Sequence, residues 1–239
     1  MIVSNSRKFI FVHINKTAGT SITEALYPHL AWNDLVLGST PTGRALDQPF
    51  HERFGLYKHS TAREIRAVVG ERVWSEYRSF AVVRDPVDRA RSLYGYLKML
   101  QAGRSEIRRR LRSLLGARGG PDWLAVQALR ETGSFSAFIR HPKLRHDPGF
   151  IHQSRFLSDE TGALVVDRLL RFETLAADFA ALCRELGTPE AALGHENRSQ
   201  GARGREAPVS ERDVAFLRDY FAEDYALLER LAPDVPAGC

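Results

Sequence analysis

The stretch FIFVHINKTAGTSI, residues 9–22, constrains the fold more than any other part of the chain. Ile10, Phe11, Val12 and Ile14 form a short apolar run of the kind buried on both faces of a sheet, so residues 9–14 read as a strand. Asn15 to Gly19 is polar and turn-forming. Thr20 or Ser21 then opens a helix to about Leu30, with Ile22, Ala25 and Leu26 as its apolar positions. A buried strand that passes through a tight loop into a helix is the building unit of an α/β architecture.

The same order returns later in the chain. Residues 80–83 read as a strand that ends at Arg84-Asp85-Pro86, where Pro86 suits a first helical turn and Asp85 can cap it. Ala90, Leu93, Tyr94 and Leu97 mark the helix that follows. Between the two units, residues 31–57 carry Gly38, Pro41, Gly43 and Pro49 and read as an irregular loop on the substrate side. Thr61 and Glu64 form a capping box for a helix through Ile65, Val68 and Val69, which breaks near Gly70 and resumes to about Tyr77. Further helices are expected over 103–118, 121–130, from Phe135 and over 174–186, and short strands over 164–166 and 169–172. Ser210 with Asp213 caps a last helix to about Leu231. This alternation predicts an α/β fold in three layers with a mainly parallel central sheet. At 239 residues and 44% hydrophobic composition, a single domain over 1–239 fits, with a loose tail from Pro233.

Several classes are set aside. No apolar run approaches the roughly 20 residues of a membrane span. The N-terminal run has no cleavage site after it, so no secretory leader is expected. Cys183 and Cys239 make no disulfide framework, which fits a reducing, cytoplasmic setting. No spacing of ligand residues suggests a metal site. The net charge of +5 has two competing accounts, an Arg-rich composition or a basic pocket for an anionic ligand. Nucleic-acid binding has no zinc spacing or reader motif behind it. The arginines of 103–118 belong either to a surface helix or to a face for acidic glycans. Nothing in the sequence sets an oligomeric state.

The chemistry concentrates at two strand ends. The first strand delivers Lys16 to the mouth of a loop that Gly19 lets curl closely. The N–H groups of Thr17, Ala18, Gly19, Thr20 and Ser21 would then converge at the positive end of the next helix, an anion cradle. A Walker A loop is excluded, because Lys16 precedes Gly19 rather than following the glycines. At the second strand end, Arg84 and Ser92 can clamp one phosphate from two sides, or Arg84 can pair with Asp85 or Asp88. Of the eight histidines, His59 stands between an irregular stretch and a capped helix, while His195, His51 and His152 are the other candidates for a general base. His13 is expected to pack or support the loop. Lys58 is either a ligand contact or a solvated charge. Glu173 is expected to hold the late loop by pairing with Arg171 or a backbone N–H.

Taken together, these pieces resemble the sulfotransferase families, in particular the group of carbohydrate 2-O-sulfotransferases and bacterial sulfotransferase-like proteins. HINKTAGTS resembles the family's 5'-phosphosulfate loop and RDPVDRARS its 3'-phosphate element, with KHSTAREI, RFE and HENRS as supporting matches. Two departures stand out: Asn15 replaces the usual proline, and Ala18 replaces a glycine, which denies an easy positive φ there and leaves Gly19 to supply it.

The resemblance implies a P-loop-kinase-like fold that binds 3'-phosphoadenosine-5'-phosphosulfate (PAPS) across the carboxyl ends of the strands, with adenosine 3',5'-bisphosphate as product and no metal. Lys16 would meet the bridging oxygen, residues 17–21 the 5' site, and Arg84 and Ser92 the 3'-phosphate. The Gly- and Arg-rich loop 195–205, with Arg198, Ser199 and Arg203, would close over the nucleotide. His59 would be the base, with activity falling below an apparent pKa of about 6–7. The acceptor would be a hydroxyl, on a glycan or a glycosylated small molecule. Two other readings stay open: a small-molecule or sugar kinase using Mg-ATP, and a nucleotide-binding protein without activity.

Overall fold

The computed structural model describes residues 1–102, 123–194 and 208–231. The Arg-rich segment 103–118, the loop 195–205 and the tail from 233 lie outside the described residues.

A five-stranded sheet organises the site. Its strands are β1 (Ile2–Ser4), β2 (Phe9–Val12), β3 (Leu35–Val36), β4 (Arg78–Val83) and β5 (Arg168–Arg171), in the order β3-β1-β2-β4-β5. β2, β4 and β5 are parallel, while β1 runs antiparallel to both β2 and β3. The sheet is therefore mixed rather than mainly parallel. The cause is local: only Asn5 to Lys8 separates β1 from β2, and so short a connection can join antiparallel strands only. All four residues of β2 are buried, and side chains alternate across a sheet, so both faces of this strand are covered.

One face carries Ile2, Phe9, Phe11, Phe80, Val82 and Leu170. They pack with Ile22 and Leu26 of α1 (Gly19–Leu26) and with Leu175, Phe179 and Leu182 of a later helix (Leu175–Glu185). Phe11 stacks on Phe80 at 5.0 Å between ring centroids. Each fully buried Phe contributes about 1.5–3 kcal/mol, so these cross-strand rings anchor the register of β2 against β4.

Where turn signals were read as loop, the chain is partly helical. α2 (Pro41–Phe54) occupies much of the stretch expected to be irregular. Thr40 caps it by accepting from the Gly43 N–H, Pro41 fits the first turn, and Gly55 closes it at φ 72°. Pro49 lies inside the helix, at a cost of about 3 kcal/mol in an isolated helix. The capping box of Thr61 and Glu64 starts α3 (Ala62–Val69) as expected, and α4 (Glu71–Glu76) follows the break at Gly70. The strand expected over 164–166 reduces to one bridge between Ser158 and Leu164, and β5 starts at Arg168. The last helix is interrupted at Phe221, giving Glu211–Tyr220 and Ala222–Arg230.

The chain divides into two compact units. The first holds the sheet and α1–α4, with the stretch from His152 and the helix beyond Glu223. The second is helical. It begins at Pro86 with α5 (Pro86–Ala102), where Tyr94 meets Phe135 at 5.5 Å and Phe138 at 5.2 Å. Its Arg89 is 1% exposed, donates to the Ile151 carbonyl at 2.6 Å and lies over the Phe221 ring.

Candidate active site

Two neighbouring parallel strands bring the two cationic strand ends together. β2 and β4 pair in parallel in the register Phe11↔Phe80 and Val12↔Ala81, so the chain leaves both at the same end of the sheet. The Arg84 Nη1 donates to the Lys16 carbonyl at 3.4 Å. Arg84 is itself held on three sides. Its N–H donates to Gln153 Oε1 at 2.9 Å, its carbonyl accepts from Gln153 Nε2 at 2.8 Å, and its guanidinium lies 4.0 Å from the centroid of Phe172.

The loop between β2 and α1 follows a different logic from the expected one. Lys16 and Ala18 take the left-handed conformation, at φ 67° and 66°, while Gly19 is the first residue of α1. A left-handed non-glycine residue costs about 1–2 kcal/mol, so the loop stores strain where anion-binding backbone would be needed. Gly19 is required for space instead. A Cβ there would stand 2.1 Å from the His13 ring. Ala18, the N-cap residue of α1, has no side chain that can cap the helix. Thr17 is buried and its hydroxyl donates to the Ile14 carbonyl at 3.0 Å, so what it can offer a ligand is its N–H. Thr20 is half-buried and Ser21 is buried, both in the first turn of α1.

The segment before α3 packs against this loop. His59 Nδ1 donates to the His13 carbonyl at 2.8 Å, which leaves Nε2 as the basic nitrogen. Lys58 Nζ reaches Thr20 Oγ1 at 3.5 Å, its N–H donates to Asp47 at 2.7 Å, and its stem fills the space that a side chain at Gly38 would need. Burial, then the cations Arg84 and Lys58, lower the Lys16 pKa to about 8. Burial also lowers Lys58. It takes His59 down to about 3, against a partial rise from the His13 carbonyl. Lys16, Arg84 and Lys58 thus gather on a strained loop, with Asp47 and Glu24 partly offsetting the charge of Lys58.

The remaining predicted residues fall as follows. Ser92 is half-buried on α5, in the second unit. Arg198, Ser199, Arg203 and His195 lie outside the described residues. His51 is exposed against Tyr57, and His152 Nδ1 is 3.8 Å from Glu223. Glu173 accepts from the Asp85 N–H at 2.9 Å, with Arg171 at 4.0 Å. Three residues were not foreseen: Gln153, which clasps the Arg84 backbone, Asp47, which fixes Lys58, and Phe172, which carries the Arg84 guanidinium. Only Phe172 had a signal, from its place in RFE. Among the described residues, no group of three or more His, Cys, Asp or Glu side chains could hold a metal ion, and no helix is long and apolar enough to cross a membrane.

In a comparison with known families, residues 1–229 fit a model described as the Sulfotransferase family. Comparisons with curated proteins and with solved structures return no match.

Proposed function

The chain belongs to the sulfotransferase family, and from that premise we propose that it transfers the sulfuryl group of PAPS to an acceptor hydroxyl on a carbohydrate or a glycosylated small molecule. The observation that carries this reading is the meeting of Lys16 and Arg84 at the carboxyl ends of two neighbouring strands, beside the N-terminus of α1, whose N-cap Ala18 has no capping side chain. Such a site suits a ligand with separate anionic groups. The family match spans both compact units, and we read 1–239 as one sulfotransferase domain of P-loop-kinase-like design, nearest the carbohydrate 2-O-sulfotransferase group.

In this reading the N–H groups of residues 17–21 and the Lys16 ammonium hold the 5'-phosphosulfate. Arg84 holds the 3'-phosphate, with Ser92, Arg198, Ser199 and Arg203 as further contacts. The acceptor oxygen attacks sulfur and passes its proton to His59 Nε2. The bond from sulfur to the 5'-phosphate oxygen breaks, and its electron pair leaves on that oxygen, where Lys16 meets the growing charge. The step as written requires no metal.

Ligand choice tests the assignment. Without magnesium, adenosine 3',5'-bisphosphate at about 100 times its Kd should stabilise the protein by about 2.7 kcal/mol and raise its Tm. A rise seen only with Mg-ATP would overturn the donor and favour a kinase.

A further inference from the structure

His13 takes no part in the chemistry just described, yet it touches both His59 and the first residue of α1. It is 3% exposed and follows the last residue of β2. Its ring stacks on Phe11 at 5.5 Å and meets the His59 ring edge-on at 4.7 Å. The Cδ2–Nε2 edge abuts the first residue of α1 so closely that a methyl group on Gly19 would overlap it. Its carbonyl accepts from His59 Nδ1, and its own Nδ1 has no hydrogen-bond partner among the described residues.

The geometry points to His13 as a positioning residue, a wedge that ties the first turn of α1 to the His59 imidazole and so keeps the basic nitrogen in register with the loop that carries Lys16. The inference rests on the reading of His59 as the base. Its physical content is a fixed tautomer. While the wedge is in place, the His59 ring keeps its Nδ1–H on the His13 carbonyl and cannot turn to offer that nitrogen instead. Without the ring, the edge contact and the support of the loop are lost together, and His59 gains room to rotate. A misplacement of about 1 Å at a reacting group can cost about 100-fold in rate.

The test reads the histidine directly. Nitrogen-detected imidazole spectra at neutral pH should show His59 as one Nδ1–H tautomer in the wild type. His13→Ala should give a tautomer mixture, with the affinity for adenosine 3',5'-bisphosphate changed less than threefold. Single-turnover hydrolysis of PAPS, with water as the acceptor, should fall about 10- to 100-fold. Gly19→Ala pushes on the same ring from the other side, replaces neither histidine and should disturb the His59 spectrum as well, which covers the case of a His13→Ala protein that does not fold. An unchanged His59 spectrum in the folded variants overturns the inference. The two readings separate cleanly. If His59→Ala hydrolyses PAPS at the wild-type rate while His13→Ala still mixes the tautomers, the base assignment fails and the wedge stands. If His59→Ala is inactive but the spectrum of His13→Ala is that of the wild type, the wedge fails and the base stands.

Discussion

Lys16 and His59 show how burial resets the chemistry of ordinary side chains. The proposed base works as a neutral imidazole, and with a pKa lowered to about 3 it is neutral at every higher pH. The proposed electrostatic partner works as an ammonium, and with a pKa lowered to about 8 it loses its proton as pH rises through that value. For the free enzyme, kcat/KM should thus be flat between about pH 5 and 7 and fall above about pH 8. The acidic limb at about pH 6–7 that an exposed histidine would give is not expected. Lys16→Arg keeps its charge at all these values and should lose the alkaline limb, whatever its absolute rate. An alkaline limb that stays in place in this variant would assign it to another group. Lys16 and Arg84 were legible in the sequence because each sits one short step past an apolar strand. Gln153 was not, since its contact with Arg84 spans 69 positions of chain and no local pattern announces it.

At the scale of elements, the loop from His13 to Ala18 is the one most at odds with its own sequence. Ala18 holds φ 66°, a conformation that costs a residue with a Cβ about 1–2 kcal/mol. Glycine at this position would remove that strain but would loosen the unfolded chain by about 0.4–1 kcal/mol. The first effect is the larger, so Ala18→Gly should stabilise the protein by up to about 1 kcal/mol, read as a higher urea midpoint at unchanged m. A lower midpoint would mean that the Ala18 methyl makes packing contacts worth more than the strain. Caps were the most legible feature: both Thr61 with Glu64 and Ser210 with Asp213 close reciprocal boxes where their spacing put them. α2 was hidden for the converse reason. Pro41 and Gly43 are loop signals in isolation, and only the Thr40 cap makes them the opening of a helix.

For the whole molecule, the alternation of strands and helices was enough to read an α/β fold with a central sheet, and the family match agrees over residues 1–229. The antiparallel side of the sheet escaped because Ile2–Ser4 and Leu35–Val36 are too short to show a period. The division into two units was equally hidden, since the first is assembled from segments far apart in the chain. Asp224 is the far end of that assembly. It is fully buried and accepts from the N–H groups of Gln153 at 2.9 Å and Ser154 at 3.0 Å. Asp224→Ala should destabilise the protein by about 1–3 kcal/mol and, by releasing Gln153, weaken binding of adenosine 3',5'-bisphosphate. Calorimetry on the folded variant checks this, and an unchanged Kd would show that Arg84 needs no such support. A growing polypeptide leaves the ribosome in one direction, so Gln153 is made 71 residues before the carboxylate that secures it. The nascent chain can pair all five strands once Arg171 has emerged, but the arginine at the end of β4 acquires its final footing only after Asp224 has followed.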